Sequence, residues 1–413
     1  MKRNMLLTLQ AWKDSETRKP FYLTGIKGVG KTFLSCEFAK TFFDSYLYIN
    51  FEHNKELVSK LKQQPKEQIV SILAKYFEFP EEYIENIPFI FDEIHYCTEV
   101  ISKLLQFIQQ NNKQYLYWIF ISSYDTLTEQ EKKELSCHIL YPLQYDEFLL
   151  ALGKDWYVEV IAAHYKNHKK LPDIVHRDLI STFDEYLWIG GMPNVLMEYI
   201  TMESSSNVRE RQYIQKQMLL NSINKTVEEK IAYKCQQIYE TIDEQLQKRN
   251  QKFQFTLIRK GITYQMYKDA LEFLEKHHIV YRINNIDTEK NQQFRIFYSD
   301  FALNDCIRSD ELSLEERYIR LQNYLYQTFT EKKIPCYFWE SKSQASLDFI
   351  IKTSNSYIPI ELKQENKSKT KSIASFLNQY PFSKNTIRIS SENFVKSDEN
   401  INIPIYSLFC FEN

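Results

Sequence analysis

Gly25-Ile26-Lys27-Gly28-Val29-Gly30-Lys31-Thr32 is the stretch whose residue types and spacing most directly suggest chemistry. A G-x-x-x-x-G-K-T segment between a strand and a helix turns backbone N–H groups towards one anion. The following helix presents its positive end to the same charge. In this pattern Gly25, Gly28 and Gly30 let the backbone approach phosphate, Lys31 reaches the β- and γ-phosphates, and the Thr32 hydroxyl binds Mg²⁺. Further on, Pro88-Phe89-Ile90-Phe91 is an apolar run that delivers Asp92 and Glu93 at its end. The first acid is placed to hold Mg²⁺ and the second to polarise an attacking water, so ATP hydrolysis is expected rather than binding alone. Ser122 and Ser123 close the next apolar run. A hydroxyl there, Ser122 first of all, can meet the γ-phosphate or the water, or simply end a strand. Phosphoryl transfer usually calls for an arginine as well. None lies between Arg18 and Arg177, which leaves Arg177, Arg209 and Arg211, from this chain or a neighbouring subunit, as candidates.

These groups need a scaffold. Residues 21–24 read as a short buried strand, 32–43 as a helix, 45–51 as a second strand, and 55–77 as amphipathic helical sequence. The run 88–91 is a third strand, 100–111 a helix and 115–121 a fourth strand. Strands alternating with helices of this length predict a parallel sheet covered on both faces. From about 144 to 245 the spacing is helical. Residues 253–284 then read as helices and a strand, with a partner strand at 294–298, an order compatible with a winged-helix unit. Beyond 314 come a helix, strands at 336–339, 347–352 and 357–363, a helix at 371–379 and a strand at 385–390, which together make a second α/β unit. The expected division is a P-loop domain over 1–150, a helical lid over 151–245, a winged-helix-like unit over 246–310 and an α/β domain over 311–413.

Length and composition agree with this division. A chain of 413 residues exceeds one ordinary core. The formal net charge of -2 excludes a polyanion-binding character spread over the whole molecule. Seven scattered cysteines without a C-x-x-C pair suggest reduced, mostly buried thiols. The first twelve residues lack the apolar core of a leader, and the longest apolar run, 115–121, is far too short to span a bilayer. A soluble, cytoplasmic protein is expected. His277-His278 has no neighbouring ligand set for zinc.

The order of these segments resembles a bacterial and archaeal family of AAA-type P-loop ATPases with a C-terminal domain of unknown function and restriction-endonuclease-like core. The resemblance runs through nearly the whole chain. It rests on Lys19-Pro20, Val29-Gly30-Lys31-Thr32, Ile90-Phe91-Asp92-Glu93-Ile94, the segment Tyr141–Phe148, which is similar to "PLSF-x-EF", and Gly190-Gly191-Met192-Pro193, which is similar to "GGxP". It implies an ATPase domain, a helical lid, a winged-helix-like middle and a nuclease-like tail. Relatives carry Gly-Arg shortly before the PLSF segment, whereas this chain has Ser136-Cys137-His138. A histidine mostly neutral at pH 7 senses phosphate poorly, which suggests slow turnover.

In the tail, Asp348 and Glu361-Leu362-Lys363 form an acid…E-x-K pattern on two strand candidates. Such carboxylates can converge on Mg²⁺, with a lysine to orient water. Where relatives have an acid in the preceding helix this chain has Gln322, which brings hydrogen bonds but no charge. Glu340 can compensate if its strand lies beside Asp348. The alternatives are a metal-dependent DNA nuclease gated by ATP and a weakened site serving recognition. Lys248, Arg249, Lys252, Arg259, Lys260, Lys268, Lys276 and Arg282 outnumber nearby acids, as Lys363, Lys367, Lys369, Lys371, Lys384 and Arg388 do in the tail. This is a footprint of DNA contact or an ordinary solvated face. ATP and Mg²⁺ are the expected cofactors, with DNA, a protein partner or further copies of the chain as partners.

Overall fold

Five parallel strands carry the amino-terminal sheet: β1 (Phe21–Thr24), β2 (Leu47–Asn50), β3 (Phe89–Asp92), β4 (Trp118–Ser122) and β5 (Ser136–Ile139). Their spatial order is β2-β3-β4-β1-β5. The computed structural model describes residues 1–81, 86–110, 116–202, 205–287, 293–303, 312–341, 345–353, 356–363, 370–383, 386–396 and 400–412. Residues 2–141 and 142–413 form two compact units. β1, β3 and β4 are buried along their whole length, which explains their continuous apolar runs. Phe89, Phe91, Trp118 and Phe120 pack with Leu57, Leu61, Leu104 and Ile108 from the covering helices.

The structure corrects three of the sequence-based expectations. The stretch expected as amphipathic helical sequence over 55–77 is broken into two helices, Lys55–Gln63 and Ile69–Tyr76, because Pro65 lacks the N–H a continuing helix needs. Ser136-Cys137-His138, read only as the place of a missing arginine, lies in β5, an edge strand paired with β1. None of its four residues is buried and Cys137 is exposed, so it has no apolar signature. Of the six described cysteines only Cys235 is buried and Cys137 is exposed; Cys306 lies outside the described residues.

The second unit begins with helices Tyr145–Ala151, Asp155–Asn167, Asp173–Ile189, Pro193–Met202, Ser205–Thr226 and Glu229–Leu246. A helix, Tyr264–Lys276, then precedes an antiparallel pair, β6 (Val280–Asn284) and β7 (Phe294–Tyr298). After helix Leu314–Glu331, β8 (Cys336–Glu340), β9 (Ser346–Lys352), β10 (Tyr357–Leu362), β11 (Thr386–Ser390), β12 (Val395–Lys396) and β13 (Asn400–Pro404) form a mixed sheet ordered β12-β13-β11-β10-β9-β8. β12 and β13 have no clear signal in the sequence; the former is two residues long and exposed. Two of the five segments behind the family resemblance, Tyr141–Phe148 and Gly190–Pro193, meet: the Leu143 N–H donates to the Gly191 carbonyl at 2.7 Å. A Cβ on Gly191 would lie 2.6 Å from the Leu143 oxygen, so only glycine fits there.

Candidate functional site

The chain leaves β1 at Thr24 and reverses through Gly25, at φ 146°. A Cβ there would stand 2.3 Å from the Leu140 carbonyl oxygen. Gly30, left-handed at φ 98°, starts the helix Lys31–Phe42. Arg3, which no sequence motif singles out, ties the loop from behind, donating to the carbonyls of Val29 (3.0 Å) and Tyr141 (2.5 Å). The Lys31 ammonium lies inside the loop, 2.8 Å from the Gly25 carbonyl and 3.1 Å from that of Ile26. Burial pulls its pKa down to about 8 against the attraction of Glu93 and Asp92.

Asp92 and Glu93 arrive at the carboxyl end of β3, the edge where ligands of open α/β sheets bind. Asp92 Oδ2 accepts from Thr32 Oγ1 at 2.7 Å and from the Tyr48 hydroxyl at 2.8 Å. Thr32 and Asp92 thus place two hard oxygen donors together, a set that fits Mg²⁺. Burial raises the Asp92 pKa, with the Glu93 charge acting in the same sense. Glu93 stands in the left-handed region at φ 52° and pairs with Lys27. Burial would raise its pKa, but Lys31 and Lys27 outweigh that and hold it at about 2.

β4 lies between β1 and β3, so the residues just beyond its carboxyl end sit between Lys31 and Glu93. Ser123 Oγ accepts from Lys31 Nζ at 3.1 Å and donates to Glu93 at 2.9 Å. Its N–H reaches the other Glu93 oxygen at 3.1 Å. Ser122, read as a group for the γ-phosphate or the water or as a simple strand end, donates to the Tyr124 carbonyl at 2.5 Å and lies 3.2 Å from His95 Nδ1. Its side chain is fully buried on β4, whose residues alternate between the two faces of the sheet. Burial drives the His95 pKa down to about 4, leaving the ring neutral near pH 7. Tyr48, His95 and the pairing of Lys27 were missed by sequence reasoning; the nearness of His95 to Glu93 in the chain was the one available signal. His138 stacks on Phe21 with ring centroids 4.4 Å apart. Among the arginine candidates, Arg211 is paired with Glu198 at 2.8 Å and Arg177 Nε reaches the Asp173 carbonyl at 3.4 Å.

The acids of the tail are also brought together. The β9–β10 register pairs Ile360 with Phe349, and its next step sets Glu361 opposite Asp348. Each acid is already engaged by the chain itself. Asp348 accepts from Arg295 at 3.0 Å and from the Tyr318 hydroxyl at 2.6 Å. Glu361 accepts from Arg388 at 2.8 Å, and Lys363 pairs with Glu392. Glu340 does lie on the strand beside Asp348, yet it meets Lys252 at 2.6 Å and Arg295 at 3.5 Å. Gln322, fully buried, exchanges amide hydrogen bonds with Gln251, which accepts from Arg295 at 3.2 Å. Among the described residues no group of three or more His, Cys, Asp or Glu is arranged to hold a metal.

Of the basic residues noted in the sequence, Lys248, Lys252, Lys268 and Arg282 are ion-paired with Glu244, Glu340, Glu272 and Glu275. Lys367, Lys369 and Lys384 lie outside the described residues.

Loop, helix terminus and the acid-tipped strand β3, one strand removed from β1, define an AAA-type P-loop ATPase domain, and comparison with known proteins agrees. Residues 17–149 match the family described as AAA domain. Residues 180–312 and 316–408 match two domains of unknown function, DUF8612 and DUF4143. No curated protein matches. Among solved structures the chain is similar to the Walker-type ATPase PABY2304 of Pyrococcus abyssi, at 13% identity over 72% of this chain and 93% of that one, TM-score 0.45. It is also similar to the ORC1 protein of Aeropyrum pernix solved with DNA, at 11% identity over 78% and 93%, TM-score 0.32. A third is the RuvB Holliday junction branch migration motor of Thermotoga maritima, at 14% identity over 67% and 86%, TM-score 0.29. Among the described residues no helix is long and apolar enough to cross a membrane.

Proposed function

We propose that this chain is a Mg²⁺-dependent ATP hydrolase working as a switch or motor, whose nucleotide state controls a carboxy-terminal domain that recognises nucleic acid rather than cutting it. The observation that carries the reading is the 2.7 Å contact of Thr32 with Asp92, beside the buried ammonium of Lys31. Gly25, Gly28 and Gly30 give the loop its close approach to phosphate, and Lys31 leaves its carbonyl partners for the β- and γ-phosphates. Thr32 and Asp92 would hold Mg²⁺, which when bound would neutralise phosphate charge. Glu93 orients and polarises the attacking water, with Ser123 steadying its carboxylate. Lys27 must release Glu93 for that role.

The second unit supplies what moves. On this reading residues 151–245 form the lid, 246–310 a winged-helix-like unit and 311–413 a nuclease-like domain. The guanidinium groups on Asp348 and Glu361 favour recognition over an ATP-gated nuclease, because each occupies an oxygen that a metal would need.

ATP hydrolysis should be measured with Mg²⁺, alone and with single-stranded or duplex DNA, for the natural chain and for Glu93→Gln. DNA-stimulated turnover that disappears in the variant supports the switch. ATP binding with no turnover under any condition sinks it in favour of a nucleotide-dependent scaffold. Cleavage of the DNA that is lost in Asp348→Ala would restore the nuclease.

A further inference from the structure

Within the second unit a cleft of about 360 Å³ opens between the turn after helix Glu229–Leu246 and the facing ends of β8 and β9. Its walls include Lys248, Arg249, Asn250, Gln254, Ser341 and Ser346. All six side chains can donate hydrogen bonds, and two carry fixed positive charge. The one acid in the lining, Glu340, is engaged by Lys252 at 2.6 Å and Arg295 at 3.5 Å. Asp348, two residues from Ser346 along β9, is paired by the same Arg295. The carboxylates that would repel an anion here are therefore neutralised from inside the protein.

The basic wall is held in place. Gln251 stands in the left-handed region at φ 51°, its buried amide donating to the Leu246 carbonyl at 2.9 Å and to Gln322 at 2.8 Å. Those contacts anchor the turn from behind and present Lys248, Arg249 and Asn250 on a fixed backbone. Lys248 makes an exposed pair with Glu244 at 3.2 Å, the kind of contact that adds little and is readily exchanged for a phosphate.

We infer that this cleft is a phosphodiester-binding site, taking the backbone of a nucleic-acid strand without a metal ion and without cleaving it. The inference rests on the recognition role proposed for the tail, and it assigns that role to particular residues. Lys248 and Arg249 meet the phosphate charge. Asn250, Gln254, Ser341 and Ser346 supply neutral donors. Arg295 keeps Glu340 and Asp348 from opposing the ligand.

The test uses the full chain with fluorescein-labelled single-stranded and duplex oligonucleotides, followed by anisotropy in EDTA without ATP. Lys248→Glu/Arg249→Glu is compared with Lys169→Glu/Lys170→Glu, which alters net charge equally at exposed positions elsewhere in the same unit. Thermal melts verify that both variants are folded, and Lys248→Ala/Arg249→Ala replaces the first if it is not. The expected result is metal-independent binding, weakened about tenfold or more by the first pair and little by the second. The salt slope should fall by about 2 in the first pair. Equal losses in both variants, or no loss in either, overturn the site. So does inorganic phosphate or a free mononucleotide binding the cleft as tightly as the oligonucleotide, since that would make it a small-anion pocket. ATP hydrolysis is assayed separately on the same samples. Its absence with oligonucleotide binding intact would overturn the switch and leave this site standing.

Discussion

Arg295 Nη1 donates to Asp348 Oδ1 at 3.0 Å, with the arginine side chain only 3% exposed and the aspartate 7%. β7 thus supplies the cation that meets the acid most suggestive of nuclease chemistry, and the same guanidinium reaches Glu340. Removing one partner of a buried pair leaves an uncompensated charge, a loss of about 3–5 kcal/mol. Arg295→Met should therefore lower the stability of the second unit by about that amount in urea unfolding. A change below about 1 kcal/mol would mean that Asp348 is solvated or protonated instead.

Lys27 gives the second expectation. Its ion pair helps hold the Glu93 pKa at about 2, so the carboxylate is a weak base. Lys27→Ala should raise kcat several-fold at saturating ATP, while Glu93→Gln should lower it by about 10²–10⁴ with ATP still bound. A fall in kcat for Lys27→Ala, with KM unchanged, would place Lys27 in the reaction and not in a restraint upon it.

Gly25→Ala tests the loop. The new Cβ would meet the Leu140 carbonyl at a φ that side chains rarely adopt, and overpacking of this kind costs about 1–3 kcal/mol. ATP binding should be lost or greatly weakened, with the melting of residues 142–413 unchanged. Wild-type affinity by calorimetry would remove the steric account.

Asp300 sets a pH dependence. It is fully buried, and burial raises its pKa to about 6 although the Ala302 and Gly191 N–H groups favour the ionised form. The folded chain thus keeps a proton that the unfolded chain loses near its ordinary value of 3.8. This contribution to stability is fully present below that value and is lost as pH rises through about 6, to a limit of about 3 kcal/mol. Asp300→Ala should flatten that part of the profile in urea titrations at pH 4 to 7. It should also lower stability at every pH, because two buried N–H groups lose their acceptor. An unchanged slope would show that Asp300 ionises normally.

What the sequence by itself determined is what neighbouring residues determine together. The P-loop is eight consecutive residues, Asp92-Glu93 ends a continuous apolar run, and the spacing of Asp348 and Glu361 suits two strands that pair as a hairpin. Backbone geometry, burial and period-two alternation act over such short stretches, so these features could be read directly. Gln322 was noticed because it stands where an acid was expected.

Tertiary structure alone decided the pairings. Ser123 reaches Lys31 and Glu93 because β4 is inserted between β1 and β3, an order that no local pattern encodes. Arg3 ties a loop 26 residues away, and Arg295 meets an acid 53 residues away. A cation in a sequence shows its charge but not its partner; the partner depends on which strands lie side by side and on the low-dielectric interior in which charges must be matched. For the same reason the carboxylates of the tail suggest metal chemistry in the sequence and are found neutralised by arginines in the fold.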